Sequence, residues 1–483
     1  MPSRKKTTTK KASAKKTIKK DVSKKTVVKK QSSEKKVIVP SKKKQSAKKS
    51  LAKKVPMLLR GMRDILPKDG NLWLTIYNAA SDISRAYNFG YTETPILEDA
   101  SLFIRSIGKD TDVVEKEMYV FEDKDEKKVA LRPEFTASSA RVYISHGMHS
   151  QPQPVKMWTI GPMFRHDRPQ AGRYRQFRQF DCEVYGVRDA VVDAELIVVA
   201  YNYLKELGID CQVHINSIGN LDDRQRYLLE LSSYLRSKRS MLSDISKKRL
   251  LKNPLRILDS KDEGDKVVLE EAPQILDWLS DDSKKFFMSV LEHLDECGIP
   301  YILQPTLVRG LDYYTDTVFE FFAIDSTDGS QSALGGGGRY DGLVKQLGGH
   351  DTPACGFAIG LERVLLAMRK NIESRDTIDY SFDNRPPIYF AQLGAQARRR
   401  ALYLIEEMRK QGIMFIHNLA KTSLKSQLEV AAKYNATHTV ILGQKEIQDG
   451  TVIIRDMESG IQEIIDEKKL AKTLQKLLNR ATK

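Results

Sequence analysis

The chain has 483 residues, 41% of them hydrophobic, a formal net charge of +17 and four cysteines. That length accommodates about two to four domains with proper cores, and no apolar run approaches the roughly 18 residues needed to cross a membrane. No signal-peptide core follows the N-terminus, and the cysteines (Cys182, Cys211, Cys297, Cys355) are scattered without a C-x-x-C pair. This argues against zinc sites and a disulfide framework, so a cytoplasmic location without a membrane partner is expected.

The charge is unevenly placed. Residues 1–54 hold 21 Lys and one Arg against one Asp and one Glu, a balance of +20, which leaves −3 for residues 55–483. A Lys/Ser/Thr/Ala-rich segment with almost no aromatics cannot bury a core, so 1–55 is expected to be a disordered basic tail. It reads either as a sequence-independent contact for RNA or another polyanion or as a solubilising extension. A transit peptide fits poorly, because Lys outnumbers Arg and no amphipathic pattern is present.

Beyond the tail, Trp73, Ile76, Tyr77, Ala80, Ile83 and Tyr87 recur at helical spacing. A turn and a strand follow over 89–99, with Pro95 marking an edge or an end. Residues 118–136 read as a hairpin turning at 123–127, and a helix starts near Thr136. A strand leads in from Val155, is expected to break at Gly161-Pro162, and resumes through Phe164. The stretch "GPMFRHDRPQAGRYRQFRQFDCEVYG" (161–186) then forms a polar loop and a returning strand. On that strand Phe177, Gln179, Asp181, Glu183 and Tyr185 share one face, while Arg178, Phe180, Cys182 and Val184 share the other.

A helix is expected over 191–207 and a strand over 211–216. Residues 222–298 are charged, helical and poor in glycine, with "KKRLLKNPLR" as a basic patch; they read as an inserted helical subdomain. Strands return at 301–308 and 317–324, and a strand and helix occupy 356–368. Residues 371–387 end in Pro386-Pro387 and read as a linker. Strand and helix patterns then alternate to the C-terminus, the mark of a separate small α/β domain over 386–483.

Several segments carry polar residues where strands end. Five arginines crowd between Arg165 and Arg178; a solvated hairpin is the plain reading. The glycines 335–338 match neither G-x-x-x-x-G-K-[ST] nor G-x-G-x-x-G, so they are either a flexible turn or a place where a ligand approaches the backbone closely. In "GFAIGLERV" Arg363 falls in a first helical turn, the wrong sign for the helix dipole unless an anion binds there; a surface Glu362/Arg363 pair is the alternative. "LRPEFT" brings Glu134 and Thr136 to a strand end, and "TLVRGLDYYTDTVFE" does so for Arg309, Asp312, Tyr313 and Tyr314, although adjacent tyrosines are also common in cores.

In order and spacing, these motifs together with "RGMRDILP" (60–67) and "GGGGRYDGL" resemble the histidyl-tRNA synthetases, a class II group, over about residues 56–483. The resemblance implies an α+β catalytic domain (56–380) with an antiparallel sheet flanked by helices, a helical insertion (about 222–298) bracing the acceptor stem, and a C-terminal anticodon-binding domain (386–483). It implies a homodimer with its interface at 73–99. The implied substrates are ATP with its Mg2+, L-histidine and tRNA(His), with no tightly bound prosthetic group and no metal held by protein ligands alone. Carried over by position, Arg165 holds the α-phosphate and Arg363 the ATP tail. Arg309 bridges histidine's carboxylate and the α-phosphate, and these three arginines form the catalytic set. Glu134, Thr136 and Gln179 take the α-amino group, with Phe135 in the same segment. Glu183 and Tyr314 grip the imidazole, with Tyr313 beside them. Arg168, Gln170, Arg173 and Arg175 face the tRNA acceptor end. Phe135 is bulky for its position, and the lysine tail lies outside the resemblance.

These residue types suit the chemistry. Joining a carboxylate to ATP brings anions together, and fixed guanidiniums offset their repulsion and stabilise charge on the α-phosphate. Two other readings predict different things. A catalytically silent paralogue, such as an ATP phosphoribosyltransferase regulatory subunit, would lack the arginines and the C-terminal domain. A tail-driven RNA-binding protein would bind RNA without activating an amino acid.

Overall fold

A computed structural model describes residues 56–109, 111–324, 333–374 and 388–481. The basic tail and most of the expected linker lie outside the described residues. Within residues 58–374 the centre is an eight-stranded sheet. Its strand order is Gly90–Tyr91, Val155–Phe164, Gln176–Tyr185, Ala354–Gly360, Ala333–Arg339, Thr315–Ala323, Cys211–Ser217 and Tyr301–Leu303. The inner strands are antiparallel, and the short edge strands at 90–91 and 301–303 each pair in parallel.

One face of this sheet packs on helices Pro67–Ala86, Ala190–Glu206, Asp281–Glu296 and Leu361–Ser374. Strand residues Phe180, Cys182 and Val184 enter that core with Ile76, Leu196, Val290 and Val364. The other face bears helix Thr136–Ser145 and the tyrosines Tyr185, Tyr313, Tyr314 and Tyr340, in a second core shared with residues 221–275. A three-stranded sheet (97–99, 128–131, 119–122) stands apart from the main one.

Three expectations are corrected. The Val155–Phe164 strand runs unbroken through Gly161-Pro162. Its outer edge is paired only at 157–158, so at Pro162 that side is an open edge, where proline's missing N–H costs no ladder bond. The Pro162 carbonyl still accepts from Arg132 Nε at 3.0 Å. The strand expected over 301–308 ends at Leu303, and the chain turns at Pro305 with Leu307 N donating to Gln304 O. The span 222–298 is not one unit, because helix Asp281–Glu296 sends Phe287, Val290, Leu291 and Leu294 into the first core while Tyr227 to Ile275 join the second.

Residues 388–481 form a mixed five-stranded sheet in the order 416–417, 388–392, 438–442, 451–456, 462–466. Helices Ala395–Lys410 and Leu470–Ala481 cover one apolar cluster and Leu424–Lys433 another. All four cysteines are free thiols.

Candidate active site

The hairpin expected at 155–185 sets the register of the site. Gln179 sits opposite Gly161, Asp181 opposite Thr159 and Glu183 opposite Met157. On its other side the same strand pairs Gln179 with Gly360, Asp181 with Ala358 and Glu183 with Gly356. Since Phe180, Cys182 and Val184 go to the helical core, strand alternation sends the odd-numbered residues to the opposite face. A cavity of about 460 Å³ opens there.

One end of the cavity is cationic. Arg165 donates from Nε to Pro133 O at 2.8 Å and lies over the Phe177 ring at 5.5 Å. Arg173 pairs with Asp167 at 3.2 Å, and Arg363 donates from Nη1 to Ala333 O. Burial, with the charges of Arg173 and Arg165 added, pushes Arg363 down to about 10. Such a cluster is stabilised when an anion joins it. The helix carrying Arg363 begins at Leu361, so Arg363 lies in its first turn, where backbone N–H groups lack partners within the helix. Glu362 is buried and accepts from Arg178 N at 2.8 Å; the reading of a surface Glu362/Arg363 pair is therefore set aside.

Arg309 crosses the floor. Its guanidinium pairs with Glu320 and stands 5.6 Å over the Tyr314 ring. Its Nε is buried and has no hydrogen-bond partner among the described residues. Gly336 makes this path possible, because a Cβ there would sit 2.6 Å from Arg309 Nη1. The glycine run is thus a strand over which a guanidinium lies, not a turn.

The far end is anionic and buried. Glu134 accepts from Ala137 N at 2.9 Å and from Tyr313 Oη at 2.9 Å. Glu183 accepts from Thr136 Oγ1 at 2.6 Å and from Tyr340 Oη, tucked under Gly356, where any Cβ would collide with it. Asp181 has both oxygens buried without a partner among the described residues. Burial pushes the Asp181 and Glu183 carboxyls well above the usual range and also raises Glu134.

Of the residues singled out in the sequence, Glu134, Thr136, Arg165, Arg173, Gln179, Arg309, Tyr313, Tyr314 and Arg363 line the cavity together. Glu183 lies one layer behind it. Phe135 is fully buried, and its side chain is not among the lining. Arg168 and Gln170 are exposed on the loop. The backbone N–H of Arg175 donates to Gly61 O at 2.8 Å; this gives the "RGMRDILP" segment a part in holding the hairpin. Sequence reasoning missed Asp181, Glu320 and Tyr340. Asp181 carried a signal, since it shares a strand face with Gln179 and Glu183. Glu320 and Tyr340 carried none, because their roles depend on which strands become neighbours. Three residues of the basic patch are held by nearby carboxylates: Arg256 pairs with Asp112 at 3.2 Å, Arg249 with Asp112 at 3.9 Å and the exposed Lys252 with Glu115 at 2.6 Å.

An antiparallel sheet with helices on one face and an arginine-rich hairpin beside a glycine-floored cavity on the other constitutes a class II aminoacyl-tRNA synthetase catalytic domain. Residues 61–364 match the family model described as histidyl-tRNA synthetase, and 388–477 match the anticodon binding domain. A histidine–tRNA ligase of Desulforamulus reducens is 42% identical over 412 residues, covering 85% of this chain and 97% of its own. One from Halothermothrix orenii is 43% identical over 423 residues, covering 87% and 99%. The crystal structure of apo S. aureus histidyl-tRNA synthetase superposes with a TM-score of 0.72 at 33% identity, covering 87% of this chain and 99% of that one. The chain belongs to the histidyl-tRNA synthetase family, enzymes that charge tRNA with histidine.

Proposed function

We propose that the cavity activates L-histidine with ATP, and that the residues carried over above act in their stated roles. One observation carries the reading: the site is complementary to a zwitterion beside a phosphate chain. At one end Arg309 Nε is a buried donor without a partner, and at the other Gln179 Oε1 and Asp181 are acceptors without one among the described residues. Arg165, Arg173 and Arg363 add a converging positive field beyond Arg309.

In this scheme Arg309 orients the histidine carboxylate towards the α-phosphorus. An oxygen of that carboxylate forms the new P–O bond, the bond to the bridging oxygen breaks, and diphosphate leaves. Arg165 faces the charge that builds on the α-phosphate, and Arg363 holds the ATP tail with the helix N-terminus behind it. Mg2+ arrives with ATP as part of that substrate. The terminal ribose hydroxyl of tRNA(His) then takes the histidyl group and AMP departs. Arg168, Gln170, Arg173 and Arg175 guide the acceptor end, and residues 386–483 read the anticodon. The active form is a cytoplasmic homodimer joined through 73–99, where Leu74, Tyr91, Ile96 and Leu97 are exposed apolar residues.

The test is histidine-dependent ATP–pyrophosphate exchange by the full chain. Exchange with histidine and with no other amino acid is expected. Absence of exchange by a folded protein would refute the reading and favour a catalytically silent paralogue.

A further inference from the structure

Arg309, Tyr313 and Tyr314 sit on a stretch without regular structure, residues 304–314, between strands Tyr301–Leu303 and Thr315–Ala323. A loop that carries site residues needs a scaffold to hold its backbone. Its first half is tied to the main sheet. Gln304 N donates to Ile215 O at 3.0 Å, and Asn216 Nδ2 donates to Pro305 O at 3.1 Å and to Leu307 O at 3.0 Å. Its second half is held from residues 221–257. Arg224, in helix Leu221–Ser237, donates from Nη1 to Tyr314 O at 2.8 Å. Asn253 Nδ2 donates to Asp312 Oδ1 at 3.0 Å. Tyr313 and Tyr314 also share the second core with Tyr227 and Ile257.

The start of the helix bearing Arg224 is itself fixed. Asn220 Oδ1 accepts from Asp222 N and Asp223 N, both at 2.9 Å, within a capping box. Asp223 in turn accepts from Ser280 Oγ at 3.1 Å and Ser283 Oγ at 2.6 Å. Burial pushes the Arg224 guanidinium below the usual arginine range, and the charge of Asp312 opposes that shift. The Tyr314 residue is thereby held at two places. Arg224 holds its carbonyl, and Gly338 leaves room for its ring, since a Cβ there would stand 3.0 Å from Tyr314 Cδ1. The peptide unit is planar, so holding the carbonyl oxygen fixes ψ at Tyr314 and with it the direction of the side chain.

We infer that Arg224 is a positioning residue for amino-acid activation, acting on the histidine pocket through the Tyr314 carbonyl. This rests on the reading of the cavity as the histidine site. It gives residues 221–257 a part in the first chemical step, besides bracing the acceptor stem. The two parts separate cleanly, because ATP–pyrophosphate exchange needs no tRNA.

The experiment is therefore exchange by the full chain in the absence of tRNA. Arg224→Met keeps the stem and removes the donor. It is expected to lower kcat/KM for histidine by about tenfold to a hundredfold, the worth of a hydrogen bond from a charged group, with the KM for ATP within about twofold of the wild type. The contact is a single one, so Arg224→Lys, which keeps a charged donor, should recover most of the loss. If the Met variant does not accumulate, Arg224→Gln takes its place: its shorter amide falls short of the carbonyl, and the same split is required. Wild-type exchange with a raised KM for tRNA in aminoacylation would overturn the assignment, because Arg224 would then serve the RNA alone. Equal losses towards histidine and ATP, or a Lys variant no better than the neutral one, would overturn it too, as marks of a merely structural role. Wild-type enzyme that fails to exchange with histidine would refute the site reading itself; exchange without the split would refute only the role of Arg224.

Discussion

Replacing Gly336 with alanine tests whether the glycine strand exists to let Arg309 lie across it. The added methyl would stand 2.6 Å from Arg309 Nη1, 2.5 Å from Phe319 O and 3.0 Å from Glu320 Cγ. Ordinary contact distance is about 3.5 Å or more, so the shortfall is about 1 Å. The Phe319 carbonyl cannot yield, because its strand is paired on both sides. That contact is met by a loss of stability, while the guanidinium, the more movable neighbour, shifts and takes its ion pair with Glu320 along. A displacement of about 1 Å in a positioning group costs about a hundredfold in rate, and overpacking of this kind costs about 1–3 kcal/mol of stability. Gly342 provides the control within the same motif. A Cβ there meets nothing within 4 Å, and its φ of −81° suits any residue. Histidine-dependent exchange should therefore fall about a hundredfold in turnover for Gly336→Ala and stay unchanged for Gly342→Ala, with thermal melting confirming that both fold. Turnover by folded Gly336→Ala within about twofold of wild type would refute the argument.

Three further outcomes are expected. Glu183→Ala removes the acceptor that orders both Thr136 and Tyr340, so the KM for histidine should rise about tenfold or more while the KM for ATP holds; Glu183→Gln, which keeps one acceptor oxygen, should be milder, and an unchanged histidine KM in the Ala variant would remove Glu183 from the site. Burial holds the Asp181 carboxyl well above its usual value, so the folded chain binds that proton more tightly than the unfolded one. The stability this contributes is complete below the unfolded value of about 3.9 and is lost as pH rises through the folded one. Asp181→Asn, which does not titrate, should therefore gain on the wild type in urea midpoint as pH rises above the unfolded value, and a difference independent of pH would contradict the shift. Deleting residues 1–54, which carry a balance of +20, should leave exchange within about twofold and flatten the salt dependence of RNA binding, because fewer counterions are released; loss of exchange in a soluble truncation would tie the tail to catalysis.

The sequence by itself determined those features that follow from local periodicity. Alternation at 176–185 was legible because a strand's side chains change face at every residue, and it separated Phe180, Cys182 and Val184 from Gln179, Asp181 and Glu183 before any neighbour was known. The first-turn position of Arg363 and the glycine run were legible for the same reason, as was the alternation of strand and helix after residue 387. Tertiary structure decided whatever depended on which segment lies next to which. The apolar stripe of helix 281–296 is as strong as any in the insertion, and nothing local says that it packs on helix 190–206 and not with residues 221–275. Pro162 looks like a strand break until the outer edge beside it is seen to be open. The three acidic residues at the site have the same chemistry in the sequence. Only the fold gives two donors each to Glu134 and Glu183 and, among the described residues, none to Asp181, because those donors come from residues 136, 137, 313 and 340, brought together by long-range strand pairing and by the helix that begins at Thr136.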